Sequence, residues 1–146
     1  MKVKYILVAI LIAALALGGV GCIPSGKLTG GGWFTNTAFG QPSSKITFGF
    51  NAQASEEDGT VKGKFQLVDH GTKPPTKVHG TFNGIGISGI TGTCMVNGEG
   101  PHPIRLYGMD AGEPGPSAGD FVNIWVDGTL KYSGTLERGN IQGRVK

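Results

Sequence analysis

The chain has 146 residues, 27 of them Gly, and carries 13 basic and 10 acidic side chains for a formal charge of +3. That length makes one domain, large enough to bury a core without a disulfide framework. The glycines show no three-residue period, which excludes collagen. Removing residues 1–21 takes away Lys2 and Lys4 and leaves 11 basic against 10 acidic groups, so the positive balance belongs to the N-terminal segment and is no nucleic-acid footprint.

Lys2 and Lys4 precede the apolar run YILVAILIAALAL, which ends in Gly18-Gly19-Val20-Gly21 and Cys22. A positive start, a short apolar core and a small-residue exit predict a secretory signal peptide over residues 1–21. Gly19-Val20-Gly21-Cys22 resembles the lipobox of bacterial lipoproteins, which makes Cys22 the candidate lipidation site. It departs from the usual pattern at Gly19, where Leu is common. The same bond suits ordinary signal peptidase. With no charge from Tyr5 to Gly26, an uncleaved anchor is a further alternative, as is a disulfide between Cys22 and Cys94. The next stretch, IPSGKLTGGG, is rich in Pro, Ser and Gly and reads as part of a tether over residues 22–32. A single β domain is expected over residues 33–146.

Ile46, Phe48, Phe50, Ala52 and Ala54 alternate with polar or small residues, which predicts a strand with one buried face. SEEDGT at 55–60 is a turn signal, and Val61, Gly63, Phe65 and Leu67 line one face of the returning strand. GTKPPTK at 71–77 is a loop, because Pro cannot donate to a ladder. From Val78 to Gly89 the phase shifts near Ile85 between glycines, which predicts a bulge. Strands follow at 92–97, 104–109, 121–126, 130–136 and 141–145, with Asn97-Gly98 and Asp127-Gly128 as tight turns. FVNIWV at 121–126 has bulky apolar residues on both faces and reads as a central strand, with Trp125 in the core beside Phe48, Phe50, Phe65, Phe82 and Leu136. GTVKGKFQL at 59–67 and GTLKYSGTL at 128–136 form a loose internal echo. No helical period occurs outside the N-terminal segment. The expectation is all-β: a mainly antiparallel sandwich or closed barrel of about eight short strands.

The side chains that could carry chemistry are few. Asp110, Glu113 and Asp120 bracket a Gly- and Pro-rich loop and offer the hard oxygen ligands of a calcium site, without EF-hand spacing. The competing reading is a surface loop whose carboxylates cap turns. His70, His79 and His102, with Asp69, could hold a transition metal, but no tight His spacing supports it. Trp33, Tyr107, Trp125 and Tyr132 suit either a carbohydrate-stacking face or a core. Gly30–Gly32 is no phosphate loop, since no GK[ST] follows. No nucleophile sits in a recognisable catalytic setting, so the chain reads as no enzyme.

GGGWF at 30–34, FGF at 48–50, KGKFQLVDHG at 62–71, VHG at 78–80, GEG at 98–100, DAGEPG at 110–115, GDF at 119–121 and GNIQ at 139–142 stand in order. This series resembles the post-COAP domain, a β-rich unit of secreted and surface-anchored bacterial proteins. That family typically reads Asp-Asn-Gly-Glu-Pro-Gly and then Gly-Asp-Thr-Phe. Here Ala111 stands for the Asn, and no Thr separates Asp120 from Phe121. The resemblance implies extracellular placement and an accessory role, and does not imply an enzyme. The leading functional expectation is therefore an exported module, lipid-anchored at the cell membrane or extracellular. It would act in adhesion or interaction with a surface protein or glycan. The alternative is a small β-barrel carrier of an apolar ligand, since GGGWF at the start of a meander is similar to the lipocalin opening and small barrels can hold one ligand.

Overall fold

The computed structural model describes residues 26–55, 57–86, 89–111 and 119–145. The N-terminal hydrophobic segment, Cys22 and Glu113 lie outside the described residues. Nine strands follow in chain order: β1 (Gly26–Thr35), β2 (Lys45–Ala54), β3 (Val61–Asp69), β4 (Thr76–Gly86), β5 (Gly89–Val96), β6 (Glu99–Met109), β7 (Phe121–Val126), β8 (Thr129–Thr135) and β9 (Arg138–Val145). They form one antiparallel sheet in the order β8-β7-β6-β5-β4-β3-β2-β1-β9, curled into a half-barrel. The all-β antiparallel expectation holds, with nine strands for eight.

The domain begins earlier than the sequence suggests. Gly26–Gly32, assigned to the tether, belong to β1 and pair on one side with β2 and on the other with β9. Gly-rich sequence has little strand preference of its own. Here two flanking strands supply a ladder partner for each side of the backbone, and that tertiary context overrides propensity.

The two ends of the sheet approach each other because β8 runs into β9 through only Leu136 and Glu137. At that corner β1 changes neighbours. Its first part pairs with β9, up to Trp33 opposite Arg138. Beyond it, Glu137 N donates to Trp33 O at 2.9 Å, and Thr37 N donates to Ser133 O at 2.7 Å. Gly32 and Gly139 face each other at the bend, with φ of 144° and 100°. A Cβ on Gly139 would lie 1.9 Å from Gly31 O, so the bend accepts no side chain there.

The concave side carries the core. Phe48, Phe50, Phe65, Phe82, Leu67, Leu106, Ile124, Ile141 and Leu136 are all buried in one contiguous cluster. The rings of Phe34, Phe48, Phe50, Phe82 and Phe65 form a chain of edge-on and offset contacts with centroids 5.6–6.4 Å apart. The sequence-predicted bulge is present as a register shift between Phe82 and Gly84. Asp127-Gly128 forms the β7–β8 turn with φ of 53° and 77°, the positive values that a two-residue hairpin of matching twist requires.

Trp125 departs from expectation. Along β7, Val122, Ile124 and Val126 are buried, while Phe121, Asn123 and Trp125 are half-exposed on the convex side. The strand does have two apolar faces, but only the aliphatic one enters the core.

Candidate functional site

The loop that carries the acidic residues joins β6 to β7, and its two described carboxylates turn inward. Asp120 is fully buried and Asp110 nearly so. Asp120 Oδ1 accepts Ala111 N at 2.7 Å, and its Oδ2 accepts Ile141 N at 2.8 Å. Asp110 Oδ2 accepts Gly143 N at 3.3 Å. The backbone of Asp120 adds a fourth bond by accepting Leu136 N at 2.8 Å.

The logic lies in β9. This strand pairs with β1 along one edge, and alternate residues of an antiparallel strand point their N–H groups to opposite edges. Ile141 and Gly143 are two residues apart, so both point to the edge without a strand partner. There the carboxylates of Asp120 and Asp110 take the place of a tenth strand. A buried N–H without an acceptor costs free energy comparable to a lost hydrogen bond, and a charged acceptor makes the stronger bond. The two aspartates therefore close the seam of the half-barrel.

Sequence reading placed Asp110, Glu113 and Asp120 together as calcium ligands. The structure gives Asp110 and Asp120 backbone partners on β9, and Glu113 lies outside the described residues. Among the described residues no group of three or more His, Cys, Asp or Glu side chains could hold a metal ion. The histidines are dispersed. His70 Nε2 lies 3.0 Å from Thr47 Oγ1, His102 Nδ1 lies 2.9 Å from Asp127 Oδ2, and His79 is exposed on the convex face of β4.

Cys94 is a free cysteine buried inside the half-barrel, and Cys22, the alternative disulfide partner, lies outside the described residues. Burial pushes the Cys94 thiol above its ordinary pKa, and the Asp127 carboxylate adds to the shift. Tyr132 packs against the core and is pushed up to about 12, chiefly by burial and further by the Asp69 carboxylate.

The convex wall of β6 and β7 carries the feature that sequence reasoning misplaced. Register sets Arg105 opposite Trp125, Tyr107 opposite Asn123, and Met109 opposite Phe121. The guanidinium of Arg105 lies 4.0 Å from the centroid of the Trp125 ring, and the rings of Tyr107 and Phe121 are 5.9 Å apart. On β8, Ser133 Oγ donates to Asn123 Oδ1 at 2.6 Å between the two aromatic pairs. The result is a half-exposed ledge of three aromatic rings interleaved with polar groups, beside the seam loop. Of the four residues considered for a stacking face, Tyr107 and Trp125 share this ledge. Trp33 is on the outside of β1 under the ammonium of Lys45, and Tyr132 packs inward. The available signal was Asn123, a polar residue in phase with Phe121 and Trp125.

A further aromatic, Phe39, is 99% exposed in the loop between β1 and β2. Asn36 builds that loop: its Oδ1 accepts Ala38 N and Ser133 N, and its Nδ2 donates to Lys131 O.

No family model matches this chain, and no curated protein or solved structure matches it significantly.

Proposed function

We propose that the chain is an exported, non-catalytic module, anchored at its N-terminus through Cys22 or the preceding hydrophobic segment. It engages a surface protein or glycan through the aromatic ledge of β6 and β7. The observation that carries this reading is the division of side chains between the two faces. The concave side is packed with Phe, Leu and Ile, while Tyr107, Phe121 and Trp125 are left at the surface with Arg105 and Asn123. Half-exposed aromatics with polar neighbours are the composition of recognition surfaces, where rigid rings supply contact area at low entropic cost. The N-terminal pattern and the resemblance to the post-COAP domain support the same placement outside the cell.

The carrier reading is less well supported, because a bound apolar ligand needs a cavity where the Phe cluster sits.

Sedimentation of the full chain with cell-envelope material stripped of its membrane lipid tests the proposal. Binding should survive Phe39→Ser and be lost in a Tyr107→Ser, Trp125→Ser double variant of unchanged melting temperature. Pretreating the envelope with protease separates a protein partner from a glycan. Equal binding by the parent and the double variant would remove the ledge from the function.

A further inference from the structure

The opposite wall of the half-barrel carries a different chemistry. Lys27, Gln53 and Lys62 stand side by side across β1, β2 and β3, and Arg144 occupies the register position opposite Lys27 on β9. Lys64 lies one row further along, between Asn51 and Thr81. All three lysines are exposed and line an open groove of about 710 Å³ whose other polar lining is Asn51, Gln53 and Thr81, with no carboxylate. Among the described residues none of the three ammonium groups has a carboxylate within salt-bridge distance. Among the described residues the groove is a cluster of cations with no carboxylate in its lining.

The chain enters the domain beside this cluster. β1 starts at Gly26, one residue before Lys27, and only Ile23, Pro24 and Ser25 separate Gly26 from Cys22. Four residue steps reach at most about 14 Å. An anchor at Cys22 therefore holds Lys27 close to the bilayer surface. The turn between β2 and β3 carries Glu57 and Asp58 at the same end, and Asp58 accepts bonds from both N and Oγ1 of Thr60. The tip of the domain is thus acidic and the wall beside it basic, so an anionic surface is met by the wall.

We propose that the basic wall of β1 to β3 docks on the anionic phospholipid headgroups of the membrane that holds the N-terminal anchor; this rests on the anchored reading above. Docking lays the domain on its side and points the wall of β6 and β7 away from the bilayer. A lysine near an anionic surface contributes about a fivefold gain in partitioning. Because the contact is exposed, salt weakens it over a Debye length of about 8 Å.

The test uses the full chain in two vesicle compositions, phosphatidylcholine alone and phosphatidylcholine with phosphatidylglycerol. Flotation with the neutral vesicles reads the anchor. Acylation of individual lysines, followed by mass spectrometry, reads the wall. Lys27, Lys62 and Lys64 are expected to lose reactivity by roughly threefold or more in the anionic vesicles, and to recover at high salt. Lys73 and Lys131 should react alike in both compositions. Flotation with neutral vesicles but no selective protection overturns the docking and leaves the anchor standing. Failure to float with neutral vesicles overturns the anchor instead, while selective protection in the anionic sample would still establish the wall. Protection produced by inorganic phosphate without vesicles identifies an anion groove and overturns the membrane contact.

Discussion

The carboxylate of Asp120 accepts the backbone N–H of Ile141 at 2.8 Å, across 21 residues of chain, at the one edge of β9 that no strand covers. Its other oxygen holds Ala111 N at the end of β6. One buried side chain thereby ties the last strand to the loop between β6 and β7. Asp120→Asn keeps the shape but has a single acceptor oxygen, and its NH2 group faces a backbone N–H that is itself a donor. A hydrogen bond to a charged group contributes about 1.5–3 kcal/mol. The variant should lose stability on that order in chemical denaturation, and Asp110→Asn should lose less, since its bond to Gly143 is longer and weaker. Equal midpoints for Asp120→Asn and the parent would contradict the closure role.

The same geometry predicts how the loop treats calcium. Both Asp120 oxygens already accept backbone donors, so the charge repulsion that would recruit a cation is relieved by N–H groups. The melting temperature should be indifferent to millimolar Ca²⁺ and to chelator. A native-state ligand at a hundredfold excess over its Kd adds about 2.7 kcal/mol. A rise of the corresponding size that Asp110→Asn abolishes would restore the metal site.

Phe82 and Trp125 should separate in mutational cost. Phe82 is 3% exposed within the ring cluster, so Phe82→Ala should cost about 3–5 kcal/mol. Trp125 covers the outer wall beneath Arg105, so Trp125→Ala should cost much less. A Trp125 loss equal to that of Phe82 in the same denaturation assay would put the indole back in the core.

How much of this was legible follows from where each determinant lies in the chain. Phe48, Phe50, Phe65 and Phe82 were readable because period-two alternation is local, and so was the β7–β8 turn at Asp127-Gly128. β1 was missed at Gly26–Gly32 because its strand character comes from β2 and β9 and not from its own residues. Trp125 was assigned inward because size outweighed phase, although Asn123 marked the polar side of the strand. The seam role of Asp120 had no local cue at all. Its partners are nine and 21 residues away, and a carboxylate in a Gly-rich loop looks the same whether it binds a cation or a backbone amide.

Cys94 should be inert in the native state. Its thiol is 2% exposed, and burial raises its pKa, so little thiolate is present near neutrality. A thiol reagent should modify it only at the rate of unfolding, and denaturant should release the reaction. Rapid native labelling at Cys94, located by peptide mass, would show that the interior is open.

Tyr132 supplies an alkaline limit. Its folded pKa, raised to about 12, exceeds the ordinary phenol value near 10, so the folded state binds the extra proton between those values. Stability from this group is complete below pH 10 and is lost as pH rises toward 12. Tyr132→Phe should flatten the fall in melting temperature over that window. An unchanged slope would remove Tyr132 as its cause.

The proposed binding role depends most on the seam, because a half-barrel closed at Asp120 around its aromatic core offers a partner its outer walls. Amide hydrogen exchange at Ile141 tests this directly. The amides of Ile141 and Ala111 should be among the slowest to exchange in the parent. In Asp120→Asn both should speed up, ahead of the amides that join β3 to β4. Parent exchange at Ile141 as fast as at an exposed loop amide such as Thr72 would contradict the account.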